Sequence, residues 1–420
     1  MNSRFLFTSL CTALALVGCG GGGGDAAAPA AGTGGAGASG ATGTLQVSLT
    51  DAPACGYEAV YVTVVGVRVH KSDAAGDGDA GWVDLPLPAP YTTTGLRINL
   101  LDLTNGVLQG LGEVVLPAGR YTQMRLILAD NTGNSAPFAN SVVPVGGVES
   151  VLSTPSAQQS GLKIKIDAEV PAGQVAHVVV DFDACKSVVK RGNSGKGYNL
   201  KPVLSATLLL SDIAGMRVVG WVSPLLSNGY TQVSLQFNGL PVKATVPDPT
   251  SGRFVLFPVP VGKYDLVVTA PGHATAVMTD VPVTADTDTA VSAPGQRIDM
   301  PTSDMRAVVG TVNPATADMR ALQTLDGGPT VEVAWSAVDG NTGAFAFSLP
   351  VGVPVRASYL DIVPLLASPM QPQLVFVPDG LPPVRYTIEA RSGAAVKQQS
   401  IDVLVPPPPE PLQPLSFVFP

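Results

Sequence analysis

Short apolar runs, each ended by glycine, proline, aspartate or asparagine, recur along residues 44–420. The chain contains 46 glycines and 38 prolines, and the runs between them are rich in valine and leucine. No stretch carries apolar residues at helical spacing for long enough to form an extended amphipathic helix. Many short strands separated by turn residues are typical of sandwiches, so the sequence predicts an all-β protein made of tandem β-sandwich domains.

The first of these domains is predicted over residues 44–212. Residues 44–50 alternate apolar and polar side chains, as a half-buried strand does. Residues 59–70 and 119–128 form longer strand patterns. Roughly eight or more strands of this kind, with turn signals between them, favour one β-sandwich.

Residues 1–18 have the pattern of a lipoprotein signal peptide. Arg4 supplies a positive start, and residues 5–17 form an apolar core of about 20 Å at helical rise, too short to cross a membrane. The run Leu16-Val17-Gly18-Cys19 resembles a lipobox, in which the cysteine is acylated. We therefore expect Cys19 to carry lipid, including palmitate. The alternative is an ordinary secretory signal with a cysteine near its cleavage site.

The residues after Cys19 indicate where the protein resides. Gly20 follows the cysteine, and in Gram-negative lipoproteins a residue other than aspartate at this position favours the outer membrane. Residues 19–43 are almost entirely glycine and alanine, a composition typical of a disordered tether with a reach of roughly 25–30 Å. We expect a cell-envelope protein held to the membrane by its N-terminal lipid, on either the periplasmic or the surface face.

Charge and motif content exclude several classes of function. The formal net charge is −8, and no basic stripe exists that could neutralise phosphates, so nucleic acid is not an expected partner. Neither a phosphate-binding loop nor a dinucleotide fingerprint occurs, and we expect no cofactor. The three histidines have no metal-ligand spacing, and we expect no metal site from them.

The four cysteines divide into three roles. Cys11 leaves with the signal peptide and Cys19 takes the lipid, which leaves Cys55 and Cys185. An even number of cysteines in an oxidising compartment favours a disulfide between them. Two buried free thiols are the alternative.

Several blocks of the first domain follow one another in a recognisable order. They are Leu49-Thr50-Asp51-Ala52-Pro53, residues 59–63, 67–70, 100–106, 116–126 and 180–189, and Tyr198-Asn199-Leu200-Lys201-Pro202-Val203. Together they resemble a bacterial extracytoplasmic domain of unknown function, DUF4382. The resemblance implies a β-sandwich-like module of lipoproteins with no established activity.

Four aspartates lie in these blocks and are the candidates for chemistry. Asp181 and Asp183 would share one face of a strand, and oxygen ligands at such spacing suit Ca²⁺. Asp51 and Asp102 stand in turn-like runs. The structural alternative is that Asp51 and Asp102 cap turns while Asp181 and Asp183 pair with lysine or arginine. We favour the structural interpretation and assign neither catalytic nor metal-binding residues.

The second half of the chain contains an internal repeat. The run Val218-Val219-Gly220-Trp221-Val222 returns as Val308-Val309-Gly310-Thr311-Val312. Two further blocks, 250–256 and 259–264, return about 90 residues later. We predict one domain over 213–302 and a second, divergent repeat over 303–420.

The first repeat contains Gly252-Arg253-Phe254, Pro260-Val261-Gly262-Lys263-Tyr264 and Ala270-Pro271-Gly272-His273. These motifs resemble those of the carboxypeptidase regulatory-like, or prealbumin-like, sandwich. This resemblance implies a non-catalytic spacer or binding module. In the second repeat Val353-Pro354 stands where the first has Lys263-Tyr264, and no Pro-Gly-His block follows. The chain then has a proline-rich segment over 405–411, and residues 415–419 could add a last strand.

These expectations favour a non-catalytic, lipid-anchored protein with a role in binding, adhesion or envelope structure. A glycan or a protein is a candidate partner. One alternative is a Ca²⁺-dependent or enzymatic site in the first domain, and another is an accessory subunit of an envelope complex.

Overall fold

The structure is a computed structural model that describes residues 40–51, 56–133, 136–155, 157–191, 197–210, 214–360, 374–380, 384–405, 407 and 410–420. The predicted signal peptide, most of the tether, Cys19 and Cys55 lie outside these residues. Nearly all of the regular structure is β-strand, which confirms the predicted all-β class.

The first sandwich packs two sheets around one apolar core. Alternate residues of its first strand, such as Leu45, Val47 and Leu49, are fully buried because successive side chains of a strand point to opposite faces. The strands are β1 (Thr42–Asp51), β2 (Tyr57–His70), β3 (Val83–Leu85), β4 (Leu96–Asn99), β5 (Gln109–Pro117), β6 (Gly119–Leu128), β7 (Ser141–Pro144), β8 (Ser150–Ser153), β9 (Leu162–Val170), β10 (Val175–Phe182), β11 (Val188–Lys190), β12 (Tyr198–Leu200) and β13 (Leu204–Leu209).

The smaller sheet of this sandwich has the order β13-β10-β1-β5, with β1 and β10 parallel. The larger sheet has the order β11-β12-β8-β7-β2-β6-β9, and β3 and β4 also pair with β2. A 3₁₀ turn, Leu100–Leu103, follows β4, and a short helix α1, Ala184–Ser187, follows β10.

The second sandwich is built on a separate core. Its small sheet has the order β17-β14-β20, and its large sheet begins β16-β15-β18-β19. The strands are β14 (Val218–Trp221), β15 (Gln232–Phe237), β16 (Leu240–Thr245), β17 (Arg253–Leu256), β18 (Gly262–Thr269), β19 (Ala276–Val283) and β20 (Thr289–Ala290), with a 3₁₀ turn at Pro224–Leu226.

The third sandwich repeats the strand pairing of the second. Its sheets have the orders β24-β21-β29 and β23-β22-β27-β28. The predicted last strand is confirmed as β29, which pairs in parallel with β21 as β20 does with β14. The strands are β21 (Met305–Asn313), β22 (Asp318–Thr324), β23 (Thr330–Ser336), β24 (Ala344–Pro350), β25 (Val355–Ser358), β26 (Val377–Pro378), β27 (Arg385–Ser392), β28 (Ala395–Asp402) and β29 (Leu415–Val418).

A glycine opposite a phenylalanine explains the most regular part of the repeat. Gly220 pairs with Phe254 across β14 and β17, and Gly310 pairs with Phe345 across β21 and β24. A Cβ atom would lie 2.4 Å from the ring at Gly220 and 2.5 Å from it at Gly310. Each aromatic ring therefore packs over a glycine that has no room for a side chain.

All three sandwiches share one tyrosine contact. In each, the tyrosine hydroxyl donates a hydrogen bond to the carbonyl of a proline earlier in the chain, which resembles the tyrosine corner of Greek-key sandwiches. The pairs are Tyr121 with Pro117 at 2.9 Å, Tyr264 with Pro260 at 2.8 Å, and Tyr386 with Pro350 at 2.7 Å.

The third tyrosine contact corrects the alignment of the repeat. Tyr264 follows its proline by 4 residues, whereas Tyr386 follows Pro350 by 36. The counterpart of Lys263-Tyr264 is therefore Arg385-Tyr386 and not Val353-Pro354. Residues 353–384 form an insertion inside the Pro-x-Gly-[Lys/Arg]-Tyr motif.

The insertion joins the second sandwich. Its strand β25 pairs in parallel with β19, and β26 pairs with β25 to extend that sheet to six strands. Val355 and Ala357 enter the core of the second sandwich. Asp379 holds the insertion to the third sandwich, since it accepts a hydrogen bond from the backbone N of Asp326 at 2.6 Å. Within the insertion, Asp379 also contacts Arg356 at 3.1 Å.

Deleting residues 353–384 should remove the strand pairing that joins the third sandwich to the second. Neither sandwich should unfold. The deletion joins Gly352 to Arg385 and so restores the Pro-x-Gly-Arg-Tyr spacing of the other two sandwiches. We expect faster hydrogen exchange in peptides covering β19, because its neighbour β25 is lost. Peptides from β1 and β2 serve as the internal control, and unchanged protection of β19 would contradict the role of the insertion.

Candidate functional site

Three of the four candidate carboxylates come together where the first sandwich meets the second. Asp51 is the last residue of β1, and Asp181 and Asp183 stand at the end of the parallel strand β10. Asp102 lies apart from them, in the 3₁₀ turn after β4. The structure therefore separates the predicted set into a cluster of three and one isolated residue.

Asp51 is fully buried and only half satisfied. Its Oδ1 accepts a hydrogen bond from the backbone N of Ala184 at 2.9 Å, while Oδ2 has no hydrogen-bond partner within the described part of the chain. Burial raises the pKa of Asp51 well above its ordinary value, the Ala184 amide lowers it, Asp181 and Asp183 raise it further, and Lys243 lowers it. This carboxyl group keeps its proton at higher pH than an exposed aspartate.

Asp183 is a helix cap. The sequence predicted it on one strand face with Asp181, but β10 ends at Phe182, and the Asp183 carboxylate accepts a hydrogen bond from the backbone N of Lys186 at 2.9 Å. Burial raises the pKa of Asp183, and the charge and amide of Lys186 oppose that rise. Cys185 lies in the helix so capped and is 6% exposed.

Asp181 makes the ion pair that the structural interpretation predicted, with a partner from another sandwich. Lys243 on β16 places Nζ 2.8 Å from Asp181 Oδ2. The Lys243 side chain is 3% exposed and that of Asp181 is 17% exposed. Within the described residues, neither Lys243 Nζ nor Asp181 Oδ1 has a hydrogen-bond partner of standard geometry. The pair therefore keeps hydrogen-bonding capacity that no group in the described part of the chain uses.

Asp102 orients another side chain. Its Oδ1 accepts a hydrogen bond from Asn99 Nδ2 at 2.9 Å, and Asn99 Oδ1 accepts from the backbone N of Val60 at 3.1 Å. Asp102 thus fixes the asparagine that ties the 3₁₀ turn to β2. This arrangement differs from the predicted cap, in which Asp102 itself would bond backbone amides.

The third sandwich reaches the same junction through Glu332 on β23. Lys186 of the first sandwich places Nζ 3.3 Å from Glu332 Oε1. Gln236 of the second sandwich donates to the Glu332 carbonyl at 2.7 Å and accepts from the Glu332 backbone N at 2.8 Å. One buried residue therefore contacts both other sandwiches.

Arg320 on β22 extends this network. Its Nη1 donates to the Gly239 carbonyl of the second sandwich at 3.0 Å and lies 3.4 Å from Glu332 Oε2, and its Nε donates to Glu389 Oε1 at 2.7 Å. Burial raises the pKa of Glu389, but hydrogen bonds from Arg320, Arg391 and Gln398 outweigh burial and hold that pKa below its ordinary value. Glu389 is thus kept ionised by its hydrogen-bond partners.

A partly enclosed cavity of about 390 Å³ lies between the three sandwiches. We call it the junction cavity. It has charged, hydroxyl, amide and apolar walls, and Trp335 of the third sandwich forms part of its lining. Its charged lining residues are Asp181, Asp183, Lys186, Lys243 and Glu332.

A second, more apolar cavity of about 790 Å³ separates the first sandwich from the third. Tyr57, Cys185 and Lys190 line it on one side, and Phe345 lines it on the other. Cys185 and Trp335 line both cavities. The two cavities therefore share this pair of residues in their walls.

No group of three or more histidine, cysteine, aspartate or glutamate side chains within the described ranges could hold a metal ion. Beside Asp181 the Lys243 ammonium takes the place that a cation would need. His70 and His273 contact backbone carbonyls, and His177 contacts the Ser48 hydroxyl at 2.8 Å.

Sequence reasoning missed the residues that join the sandwiches: Lys243, Glu332 and Arg320. Each is a single charged residue between apolar neighbours in a strand. A charged residue in such a position indicates a buried partner of opposite charge, because burying an unpaired charge is costly. Its partner could not be named, since the partners come from other sandwiches.

Comparison with known proteins identifies the first sandwich only. Residues 42–202 match the family described as "Domain of unknown function (DUF4382)", which confirms that resemblance for the first domain. None of the curated proteins matches. In the part of the chain that the structure describes, no helix is long and apolar enough to span a bilayer.

Among solved structures, the chain is similar to a complex of a type II cohesin with an X-module and dockerin, an N-terminal interface mutant from Acetivibrio cellulolyticus. The identity is 24%, over 21% of this chain and 60% of that chain, with a TM-score of 0.19. The match thus spans about three fifths of the length of that chain.

Replacing Lys243 with methionine should cost about 3–5 kcal/mol of unfolding free energy, because Asp181 would stay at the junction without its cation. Denaturant unfolding of the full chain measures this cost. The matched control is Lys201→Met. Lys201 also joins the first sandwich to the third, 2.6 Å from Asp318, but that pair is exposed. We expect the control to change stability by less than about 1 kcal/mol. Equal costs for both variants would contradict the importance of burial.

Asp51 should make the protein more stable as the pH falls toward 4. A carboxyl group whose pKa is raised by folding contributes stability that is fully present below about pH 4, its unfolded pKa, and is lost as the pH rises through the raised value. Asp51→Asn should remove this dependence and keep the hydrogen bond from Ala184. Urea midpoints between about pH 4 and 8 measure it. Identical pH profiles for the wild type and the variant would show that Asp51 does not titrate in this range.

Proposed function

We propose that this chain is a lipid-anchored protein of the cell envelope, without enzymatic activity, that acts in binding, adhesion or envelope structure. The proposal rests on the contacts that the candidate carboxylates make within the protein. Asp181 pairs with Lys243, Asp183 caps α1, and Asp102 orients Asn99. These groups hold sandwiches and turns together, which supports a binding or structural role over catalysis.

The anchor is proposed from the lipobox-like run that ends in Cys19. Acylation of this cysteine provides more than one lipid chain, which is what stable anchoring requires. Gly20 supports the outer membrane of a Gram-negative bacterium as the destination. The glycine and alanine segment over 19–43 would hold the sandwiches away from the lipid headgroups.

The second and third sandwiches are proposed to be carboxypeptidase regulatory-like modules. The shared strand pairing and the tyrosine contacts of Tyr264 and Tyr386 support a duplication. The insertion over 353–384 accounts for the divergence of the second copy. Such modules serve as spacers or binding domains in the family that they resemble.

A disulfide between Cys55 and Cys185 is proposed within the first sandwich. Asp51, four residues before Cys55, accepts a hydrogen bond from Ala184, the neighbour of Cys185. Tyr57, two residues after Cys55, lines the same cavity as Cys185. The chain on both sides of Cys55 therefore passes close to Cys185.

Mass spectrometry of non-reduced digests should find the peptides of Cys55 and Cys185 joined. The bond would close a loop of about 130 residues and stabilise the sandwich by at most about 5 kcal/mol. Cys55→Ser should leave Cys185 open to alkylation after unfolding. Alkylation of both thiols in the unreduced wild type would refute the bond.

Metabolic labelling with an alkyne analogue of palmitate tests the anchor. We expect the full chain, expressed in a Gram-negative host, to be labelled and to fractionate with the outer membrane. Cys19→Ser should abolish the label, and Cys11→Ser, a change within the same leader, should not. A label that survives Cys19→Ser would overturn the assignment.

Two assays separate the binding role from its alternatives. Peptide, ester and glycoside substrates should show no turnover, and turnover abolished by Asp181→Asn would establish the enzymatic alternative. A rise in melting temperature with Ca²⁺ that is lost in the same variant would establish the metal-dependent one. Co-purification of a stoichiometric partner from solubilised envelopes would identify an accessory subunit.

A further inference from the structure

The junction cavity contains a donor and an acceptor that no described protein group uses. Lys243 Nζ carries three N–H donors, yet it has only the 2.8 Å contact with Asp181 Oδ2, and that contact lacks hydrogen-bond geometry. Asp181 Oδ1 is buried and has no hydrogen-bond partner among the described residues. Both residues line the cavity. Buried polar atoms in native proteins are nearly always satisfied, so these two atoms favour a ligand that can hydrogen-bond to both.

The charges around the cavity restrict what that group can be. Each lysine of the lining already faces a carboxylate: Lys243 faces Asp181 at 2.8 Å and Lys186 faces Glu332 at 3.3 Å. An anion would meet Asp183 and the two paired carboxylates, and a cation would meet two ammonium groups. A neutral molecule that both donates and accepts hydrogen bonds avoids both repulsions.

The remaining walls fit such a molecule. Trp335 supplies an aromatic residue, and the hydroxyl-bearing residues Ser205, Thr207 and Thr269 are also part of the lining. The volume of about 390 Å³ falls in the range of about 300–1,000 Å³ that is usual for small-molecule sites, which occur preferentially between domains. A hydroxyl group is a donor and an acceptor at once, so neighbouring hydroxyls can accept from Lys243 and donate to Asp181.

We propose that the junction cavity binds a neutral, polyhydroxylated small molecule of the size of a mono- or disaccharide, with hydroxyl groups on Lys243 and Asp181 and an apolar ring face on Trp335. This inference rests on the proposed binding role and names the class of ligand. Because all three sandwiches line the cavity, the ligand would contact each of them and favour their docked arrangement.

Titration calorimetry of the full chain, in a detergent without a sugar headgroup, tests the inference. The probes are glucose, galactose, N-acetylglucosamine, maltose and trehalose, with glycine betaine and sulfate as charged comparisons. We expect saturable binding of at least one sugar with a Kd of about 1 mM or tighter and none of the charged probes.

Two variants locate the site. Lys243→Gln combined with Asp181→Asn removes both charges at once and so leaves no orphan ion, and Trp335→Leu removes the aromatic face while keeping the ion pair. Each should weaken sugar binding at least tenfold. The control is Arg217→Gln combined with Asp288→Asn, which removes a 3.3 Å ion pair of the second sandwich outside the cavity lining and should leave binding unchanged.

Absence of saturable binding by every sugar would overturn the inference, as would sugar binding that survives both cavity variants. Tighter binding of glycine betaine or sulfate than of any sugar would also overturn it. Circular dichroism and melting curves test whether each variant keeps the fold. If the double variant does not fold, the sugar affinity of Trp335→Leu tests the inference. None of these outcomes alters the palmitate-labelling or turnover tests, so failure here and failure of the proposed function are distinguishable.

Discussion

The buried contact between Lys243 and Asp181 is the interaction on which the arrangement of the sandwiches depends. Removing both charges from water costs several kcal/mol for each ion, and each would be buried without an opposite charge if the two did not meet. They meet only if the second sandwich docks on the end of β10. Lys186, Glu332 and Gln236 then impose the same condition on the third sandwich. Because a buried charge is costly unless its partner is present, these ion pairs fix how the sandwiches dock on one another.

The insertion over 353–384 imposes a second constraint of a different kind. Its strand β25 completes a sheet of the second sandwich although it belongs, along the chain, to the third. An edge strand presents unpaired backbone N–H and C=O groups that can pair with another chain. A strand of the same chain that covers this edge prevents such pairing. Backbone hydrogen bonds thus join the same two sandwiches that Arg320 joins through its contact with the Gly239 carbonyl.

Much of the fold was predictable because the decisive signals are local. Alternation of apolar residues in β1, the glycine that faces Phe254, and the spacing of Pro260 and Tyr264 all act within a few residues or across one strand pair. Tyr386 escaped the same analysis because 36 residues separate it from Pro350. An insertion inside a motif removes the fixed spacing between proline and tyrosine by which the motif is recognised in a sequence.

The sequence by itself determined the all-β class, because strand alternation is a pattern of neighbouring residues. It also predicted a duplicated unit and a cell-envelope location from repeat spacing and a leader. It also marked Asp51, Asp181 and Asp183 as unusual. Only the tertiary structure decided what these carboxylates do. The partner of Asp181 is Lys243 in another sandwich, and the pKa of Asp51 depends on burial that no linear pattern encodes. Whether a charge is paired, and by what, is a property of the packed interface.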